Sequence, residues 1–186
     1  MSVSRRARTV NDMSVNRPYS LDNFPGTYSN RVFVGGAYRG IYVRVLQRIS
    51  EAVTEAGFTP VNSSEFGIPE DIVRDYCEVI LKQCKFAIFE VTIETGWMSE
   101  FRDAYHYHVI CLCLYDKRKW AEWKIKKMSQ MVTSDKLFKE NNFGYLNMRE
   151  MQTAVNAFLS KYRLAAISND PVLNTNLRND GLSLPK

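Results

Sequence analysis

The sequence predicts an α/β fold in which helices cover both faces of a mainly parallel, five-stranded sheet, giving a three-layer sandwich. The prediction comes from the alternation of two kinds of segment along the chain. Short apolar runs alternate with amphipathic stretches of about 10 to 16 residues through the middle of the 186-residue chain. Such an alternation is typical of strand–helix–strand units, and the parallel strands of these units are buried on both faces.

The first three predicted elements lie between residues 31 and 62. An apolar strand over 31–35 is ended by a pair of glycines. A helix over 41–56 has apolar residues at i, i+3 and i+4 spacing, and Gly57 follows it where a C′ residue belongs. Pro60 lies inside the second strand, 58–62, and proline in a strand indicates a short or edge position.

Two further strand–helix pairs follow. A helix over 69–84 begins at Pro69, and proline favours the first helical position. The apolar run 86–91 is predicted as a central strand. A helix over 97–107 and a strand over 109–115 come next.

The last predicted elements are a helix over 119–131, a short strand over 143–146 and an amphipathic helix over 148–164. The complete pattern is Rossmann-like or flavodoxin-like. In open sheets of this kind, ligands bind at the carboxyl ends of the strands, near the point where the strand order reverses. The loops that follow the strands are therefore the predicted location of a site.

Polar segments flank the predicted domain. Residues 1–30 are rich in Ser, Asn, Arg and Pro and lack apolar periodicity, and residues 166–186 are similar. Segments of this composition bury too little apolar surface to fold alone. We therefore predict a disordered arm over 1–30, an α/β domain over 31–165 and a flexible tail over 166–186.

Composition and charge limit the class of protein. The longest unbroken apolar run is 109–115, whereas a transmembrane helix needs ~20 residues, and no apolar stretch of the kind that a secretory signal needs follows the N-terminal arginines. We expect a cytoplasmic protein with no membrane partner. Residues 31–116 have a net charge of −4 and residues 117–186 one of +7. Because nucleic-acid binders more often carry basic residues along the folded surface, a nucleic-acid partner is not expected.

The cysteines and histidines indicate no metal site. No C-x-x-C pair exists, and His106 and His108 do not complete a zinc spacing. We expect no metal and no cofactor, and the cysteines are predicted to be buried, reduced thiols. These cysteines are Cys77, Cys84, Cys111 and Cys113.

The loop after the first strand has the composition of an anion-binding turn. Glycines there let the backbone approach a ligand, and the next helix N-terminus offers free N–H groups. Arg39 adds a planar charged fork that suits phosphate. The alternative is a tight turn with a surface arginine. The loop consists of Gly35, Gly36, Ala37, Tyr38, Arg39 and Gly40.

Carboxylates surround the third strand. Glu90 ends this strand, and Glu100 lies about one turn into the following helix. Asp75 lies in the preceding helix, near the same rim. Carboxylates at such a cleft suit the oxocarbenium-like cleavage of a glycosidic bond. The alternatives are a first-turn glutamate that the helix dipole favours and a solvated helix aspartate.

Four stretches share their order and spacing with a known family. They are VFVGGAYRG at 32–40, Asp75 with the helix end LKQC at 81–84, FAIFEVT at 86–92, and GWMSE at 96–100 with the strand beyond it. Together they resemble the nucleoside 2-deoxyribosyltransferase superfamily, in particular its 2′-deoxynucleoside 5′-phosphate N-hydrolase branch. Ala37 stands where the family has a phosphate-binding serine, and Cys77 takes the position of the family's aspartate in an ungapped alignment.

The resemblance implies an enzyme that cleaves the N-glycosidic bond of a (deoxy)nucleoside or its 5′-monophosphate by hydrolysis or transfer. Glu100 would be the catalytic glutamate, and Asp75 would assist departure of the base or hold a sugar hydroxyl. A homodimer or larger homo-oligomer is implied. The substrate pocket would contain Gly36, Ala37, Tyr38, Arg39, Gly40, Glu90, Gly96 and Trp97.

Two alternatives stay open. Trp97-Met-Ser-Glu100 is similar to the Trp-x-x-x-Glu helix of TIR domains, one residue short, which would make NAD the substrate. The chain is also compatible with a non-catalytic nucleotide sensor that has the same pocket.

Overall fold

A computed structural model of the chain describes residues 24–66, 73–93, 97–119 and 141–168. Its strands are β1 (Arg31–Gly35), β2 (Thr59–Asn62), β3 (Phe86–Glu90), β4 (Ile110–Asp116) and β5 (Asn142–Tyr145). Its α-helices are α1 (Ile41–Glu55), α2 (Val73–Lys82), α3 (Trp97–His106) and α4 (Met148–Ser168). Residues 120–131 of the helix predicted at 119–131, and the predicted start of the second helix, 69–72, lie outside the described residues.

The strands form one parallel sheet in the order β2-β1-β3-β4-β5. The predicted α/β fold is therefore confirmed, and its strand order is that of flavodoxin-like sheets. β2 lies at an edge, as Pro60 predicts. β2 lies on one side of β1, and β3 lies on the other side. The direction in which the chain adds strands therefore reverses between β1 and β3. A ligand crevice is expected at this point.

Two apolar layers pack against the sheet because alternate strand residues face opposite sides. Val32 and Val34 of β1 pack with α1 and α4, whereas Phe33 packs with α2 and α3. The four cysteines are buried and form no disulfide, as predicted. No helix in the described segments combines the length and apolar character that crossing a bilayer needs.

Local signals fix the end of α1. Gly57 has φ +80°, a left-handed conformation that costs glycine little. Its N–H donates to the Thr54 carbonyl at 2.9 Å, and the Phe58 N–H donates to the Val53 carbonyl at 3.1 Å. These two bonds form a Schellman motif, which satisfies carbonyls that the helix end would otherwise leave free. The helix ends at Glu55, one residue before the predicted end.

The chain joins the domain earlier than the sequence predicts. The Arg31 guanidinium donates hydrogen bonds to the carbonyls of Pro25 at 2.8 Å, Gly26 at 2.7 Å and Phe24 at 3.3 Å. The Phe24 ring packs against Phe66, with 5.3 Å between centroids. The boundary of the predicted arm is thus corrected, because its last residues, from Phe24 onward, pack on the domain.

A fully buried carboxyl ties the ends of three strands together. Glu90 has no exposed surface, and its Oε1 accepts hydrogen bonds from the Thr92 hydroxyl and, at 3.0 Å, from the Tyr145 hydroxyl of β5. The Thr92 hydroxyl oxygen in turn accepts the Asp116 N–H of β4 at 2.8 Å. Burial raises the pKa of Glu90, and the hydrogen bonds from Thr92 and Tyr145 act in the opposite direction.

Replacing Glu90 with Gln should remove a pH-dependent loss of stability. Because the pKa of Glu90 is raised in the folded state, its contribution to stability is full below the unfolded pKa and is lost as pH rises through the folded pKa. We expect the free energy of unfolding of the wild type to fall more than that of E90Q as pH rises from about 4.5 to about 8. Urea denaturation at a series of pH values measures this difference.

Glu55→Gln is the matched control, since Glu55 is exposed on α1. Its stability should follow the wild-type pH dependence. Parallel pH curves for the wild type and E90Q would contradict the raised pKa of Glu90.

Candidate active site

The candidate site lies where the strand order reverses, at the carboxyl ends of β1 and β3. Because all the strands are parallel, the loops after β1, β2 and β3 leave the same edge of the sheet. Helix α3 follows β3 and packs on the same face as α2. Side chains from these loops and helices meet around Glu100.

Glu100 is the fourth residue of α3. Its Oε2 is buried and accepts no hydrogen bond from any described residue. A Cβ at Gly35 would lie 2.9 Å from this oxygen, and 2.8 Å from both Phe33 Cε1 and Phe89 Cδ1. The glycine therefore leaves the space that the carboxyl occupies. Buried polar atoms without partners are rare in folded proteins and are found at functional sites, so this oxygen marks a candidate ligand contact.

A chain of polar side chains leads from Glu100 to the backbone of β1. The buried Cys77 thiol of α2 lies near the Glu100 carboxyl and the Ser63 side chain. Ser63 donates to the Tyr38 hydroxyl oxygen at 3.3 Å, and the Tyr38 hydroxyl donates to the Val34 carbonyl at 2.9 Å. Hydrogen bonds therefore join the turn after β2 and the loop after β1 to the backbone of β1, beside Cys77 and Glu100.

Burial sets the protonation of these groups. Burial raises the pKa of Glu100, the neighbouring Cys77 thiol acts in the opposite direction, and the Asp103 carboxylate raises the pKa further. Burial is also the largest cause that raises the pKa of Cys77 to about 12 and raises that of Tyr38 well above its ordinary value. At neutral pH the thiol and the phenol therefore keep their protons.

The predicted loop after β1 is at the site, but its residues face different surroundings. Ala37 is buried in the apolar layer beneath α1. Tyr38 is 38% exposed although its hydroxyl is turned inward, so part of its ring faces solvent. Arg39 and Gly40 are exposed, and Gly40 caps α1 without a side chain. Gly36 packs on β3, where a Cβ would lie 3.1 Å from the Glu90 carbonyl oxygen.

Glu90 and Glu100 do not share one cleft. Glu90 follows Phe86 and Ile88 on the face of the sheet that α1 and α4 cover. Glu100 lies on the opposite face, beside Phe89. Because the carboxyl of Glu90 is enclosed and hydrogen-bonded within the fold, its predicted contact with substrate has no geometric support. Of these two glutamates, Glu100 alone has its carboxyl on the face where α2 and α3 pack.

Three predicted site residues lie outside the described part of the structure, either entirely or with their side chains. Gly96 lies outside the described residues. Trp97 is the first residue of α3, and Asp75 is the third residue of α2. Their predicted roles stay predictions.

Sequence reasoning did not assign Ser63 or Cys77 to the site. Cys77 was predicted as a buried thiol, and the resemblance placed it, in an ungapped alignment, at the position of the family's aspartate without assigning it a role. Ser63 directly follows β2, and a polar residue at the end of a strand is the sequence feature that could have indicated its place at the site. Among the described residues no group of three or more His, Cys, Asp or Glu side chains could hold a metal ion.

A cavity lies away from the candidate site, between the start of β5 and α4. It has a volume of about 290 Å³, and Leu112, Asn141, Phe143 and Lys161 contribute to its lining. None of the predicted site residues lines it.

Comparison with protein-family models and with curated proteins finds no match for this chain.

Replacing Gly35 with Ala should destabilise the fold through Glu100 and its neighbours. The new Cβ would overlap Phe33, Phe89 and Glu100 Oε2, and overpacking of this kind costs about 1–3 kcal/mol. Urea denaturation measures the change in the free energy of unfolding.

A double-mutant cycle with Glu100→Ala separates the cost of overlap with the carboxyl from the cost of overlap with the Phe33 and Phe89 rings. Since E100A removes one of the three overlaps, G35A should cost less in the E100A background, by about 0.5 kcal/mol or more. Additive costs would show that Gly35 does not accommodate the carboxyl.

Proposed function

We propose that the chain is an enzyme that cleaves the N-glycosidic bond of a (deoxy)nucleoside or its 5′-monophosphate, with Glu100 as the catalytic residue. The observation that carries this proposal is the unpartnered carboxyl oxygen of Glu100, held at the carboxyl ends of β1 and β3. The resemblance of 32–40, 86–92 and 96–100 to the deoxyribosyltransferase superfamily supports the same reaction.

The chemistry requires negative charge beside C1′ of the sugar. As the bond to the base breaks, positive charge develops on C1′ and the ring oxygen in an oxocarbenium-like transition state. An ionised Glu100 stabilises this charge or attacks C1′, and burial strengthens the interaction because water does not screen it. The intermediate or cation then reacts with water in hydrolysis, or with a second base in transfer.

The loop after β1 is suited to the rest of the nucleoside. The partly exposed Tyr38 ring is fixed through its hydroxyl, which favours stacking on a base or sugar at low entropic cost. Arg39 and the N-terminus of α1 are the groups that would bind a 5′-phosphate. Because Ala37 is buried and has no hydroxyl, phosphate binding would depend on Arg39 and backbone N–H groups.

Replacing Glu100 with Gln should abolish base release. The substitution removes the negative charge at similar volume, and loss of a catalytic group lowers kcat by at least about 10³-fold. Chromatography of reactions with deoxynucleosides, their 5′-monophosphates and NAD measures release of the base or of nicotinamide. E55Q is the matched control and should retain wild-type rates.

Each outcome of that experiment has a definite meaning. Release from a deoxynucleoside or deoxynucleotide that E100Q lacks would support the proposal. Nicotinamide release would instead support the TIR-like alternative, and tight binding of a nucleotide without release would support a sensor. Base release at the wild-type rate by E100Q would contradict the catalytic role of Glu100.

Replacing Arg39 with Ala should discriminate between substrates. If Arg39 contacts the 5′-phosphate, R39A raises KM for monophosphates by about tenfold or more and leaves KM for free nucleosides nearly unchanged. Steady-state kinetics with both substrates gives the ratio. Arg48→Ala is the control, because Arg48 is exposed along α1 and pairs with Glu51. Equal effects of R39A on both substrates would contradict the phosphate contact.

We also propose that the protein works in the cytoplasm as a homodimer or larger homo-oligomer. The four cysteines form no disulfide, which is compatible with a reducing compartment. The resemblance supplies the expectation of self-association, and sedimentation velocity measures it.

A further inference from the structure

We propose that the basic turn after β4, residues 117–119, binds the outer phosphates of a nucleoside di- or triphosphate through Arg118 and Lys119. The turn has the sequence Lys-Arg-Lys, and the proposed reaction assigns it no role. The inference deepens the proposed function, on which the place of the sugar beside Glu100 rests. The phosphate contacts themselves can be tested by binding, without any activity.

Three hydrogen bonds fix the backbone of the basic turn. The Asp116 N–H donates to the hydroxyl oxygen of Thr92, which follows β3, at 2.8 Å. The Lys117 N–H donates to the carbonyl of Tyr145, at the end of β5, at 3.0 Å. The Lys119 N–H closes the turn by donating to the Asp116 carbonyl, also at 3.0 Å. The positive side chains are therefore carried by a fixed backbone at the edge of the sheet where the candidate site lies.

A buried carboxylate holds the guanidinium of Arg118. Asp116 is 5% exposed, and its two carboxylate oxygens accept hydrogen bonds from Arg118 Nε at 2.9 Å and Nη2 at 2.7 Å. Nη1 has no hydrogen-bond partner among the described residues, and the arginine side chain is 60% exposed. A guanidinium held in this way loses little entropy when a phosphate binds its remaining N–H groups, and its planar fork suits phosphate oxygens.

Lys119 lies against the first turn of α1. Its Nζ is 3.5 Å from the Tyr42 hydroxyl oxygen and 5.2 Å from the centre of the Tyr42 ring. The Tyr42 N–H donates to the Arg39 carbonyl at 3.2 Å, so Tyr42 directly follows the loop that carries Arg39. The basic turn thus places its charges beside the loop after β1, where Arg39 is proposed to bind the 5′-phosphate.

The charge in this region exceeds what one phosphate contact uses. Arg39, Arg118 and Lys119 contribute three positive charges and Asp116 one negative charge, which leaves a net charge of +2. The hydrogen bonds from Arg118 lower the pKa of Asp116, so this carboxylate is ionised at neutral pH. A ligand with two or three phosphates matches this surplus, because charge-assisted hydrogen bonds to phosphate are stronger than neutral ones.

The faces of the sheet set the direction of the ligand. Glu100 lies on the face that α2 and α3 cover, whereas α1, with Tyr42, covers the other face. A nucleotide with its sugar beside Glu100 therefore extends across the carboxyl ends of β1 and β3 toward Lys119. Open α/β sheets bind extended nucleotides across this crevice.

The test measures binding by calorimetry, with E100Q used to prevent turnover. The ligands are the mono-, di- and triphosphates of the four common deoxynucleosides. For the preferred base, we expect the Kd of the triphosphate to be lower than that of the monophosphate by about tenfold or more. In the E100Q background, K119A and R118Q should lose this preference and bind the monophosphate with nearly unchanged Kd.

Lys117→Ala is the matched control. Lys117 has the same charge and lies in the same turn, but its Nζ lies 5.8 Å from the centre of the Phe143 ring, over β5. K117A should therefore keep the preference for the triphosphate. Because R118Q also removes the partner of the buried Asp116 carboxylate, urea denaturation checks that it folds. K119A breaks no ion pair of the described residues and decides the question if R118Q does not fold.

The possible results separate the proposal from its rivals. Equal Kd values for mono- and triphosphates, a preference that K119A retains, an equal loss in K117A, or no binding of any ligand would overturn the proposal. Tighter binding of NAD or of a single-stranded oligonucleotide than of any triphosphate would overturn it in favour of a dinucleotide or a nucleic acid. A preference that depends on Lys119, in a wild type that releases no base, would uphold the phosphate contacts and refute the proposed function.

Discussion

The close approach of the end of β1 to two acidic residues is the constraint on which the rest of the site depends. Gly35 leaves room on one face of the sheet for the Glu100 carboxyl, 2.9 Å from where a Cβ would be. Gly36 leaves room for the backbone of Glu90, whose carboxyl ties three strand ends together on the other face. Because consecutive residues at a strand end face opposite sides, Gly35 leaves space on one face of the sheet and Gly36 leaves space on the other. One carboxyl thus supports the scaffold and the other is available to a ligand.

Most of the fold could be predicted because its signals are local. Gly57 ends α1 in the left-handed conformation that the sequence indicates, and Pro60 lies in an edge strand. The N-terminal boundary could not be predicted in this way. Arg31 binds carbonyls of Pro25 and Gly26, and such contacts form only when the chain folds back on the sheet. The length of the last helix, α4, which continues to Ser168, also exceeds the predicted one.

The site was less predictable than the fold. The position of Glu100 at a helix start after a strand predicts its place at the carboxyl edge of the sheet, because parallel strands bring such positions to one edge. The contact of Cys77 with Glu100 depends on how α2 and α3 pack, which their sequences do not specify. A cysteine on an apolar helix face is typical of a core, and Cys77 is indeed buried. Glu90 was grouped with Glu100 because the sequence does not say which face of the sheet α3 covers.

The central claim is that a nucleoside binds at the carboxyl ends of β1 and β3, against Glu100. Amide NMR spectra recorded during titration with deoxynucleosides, their 5′-monophosphates and NAD test this claim directly, with E100Q used to prevent turnover. If a nucleoside binds there, the largest changes in amide chemical shift fall at Gly35, Gly36, Ser63 and Cys77. Changes concentrated instead at Asn141, Phe143 and Lys161, around the cavity between β5 and α4, would contradict it, as would the absence of changes with every ligand.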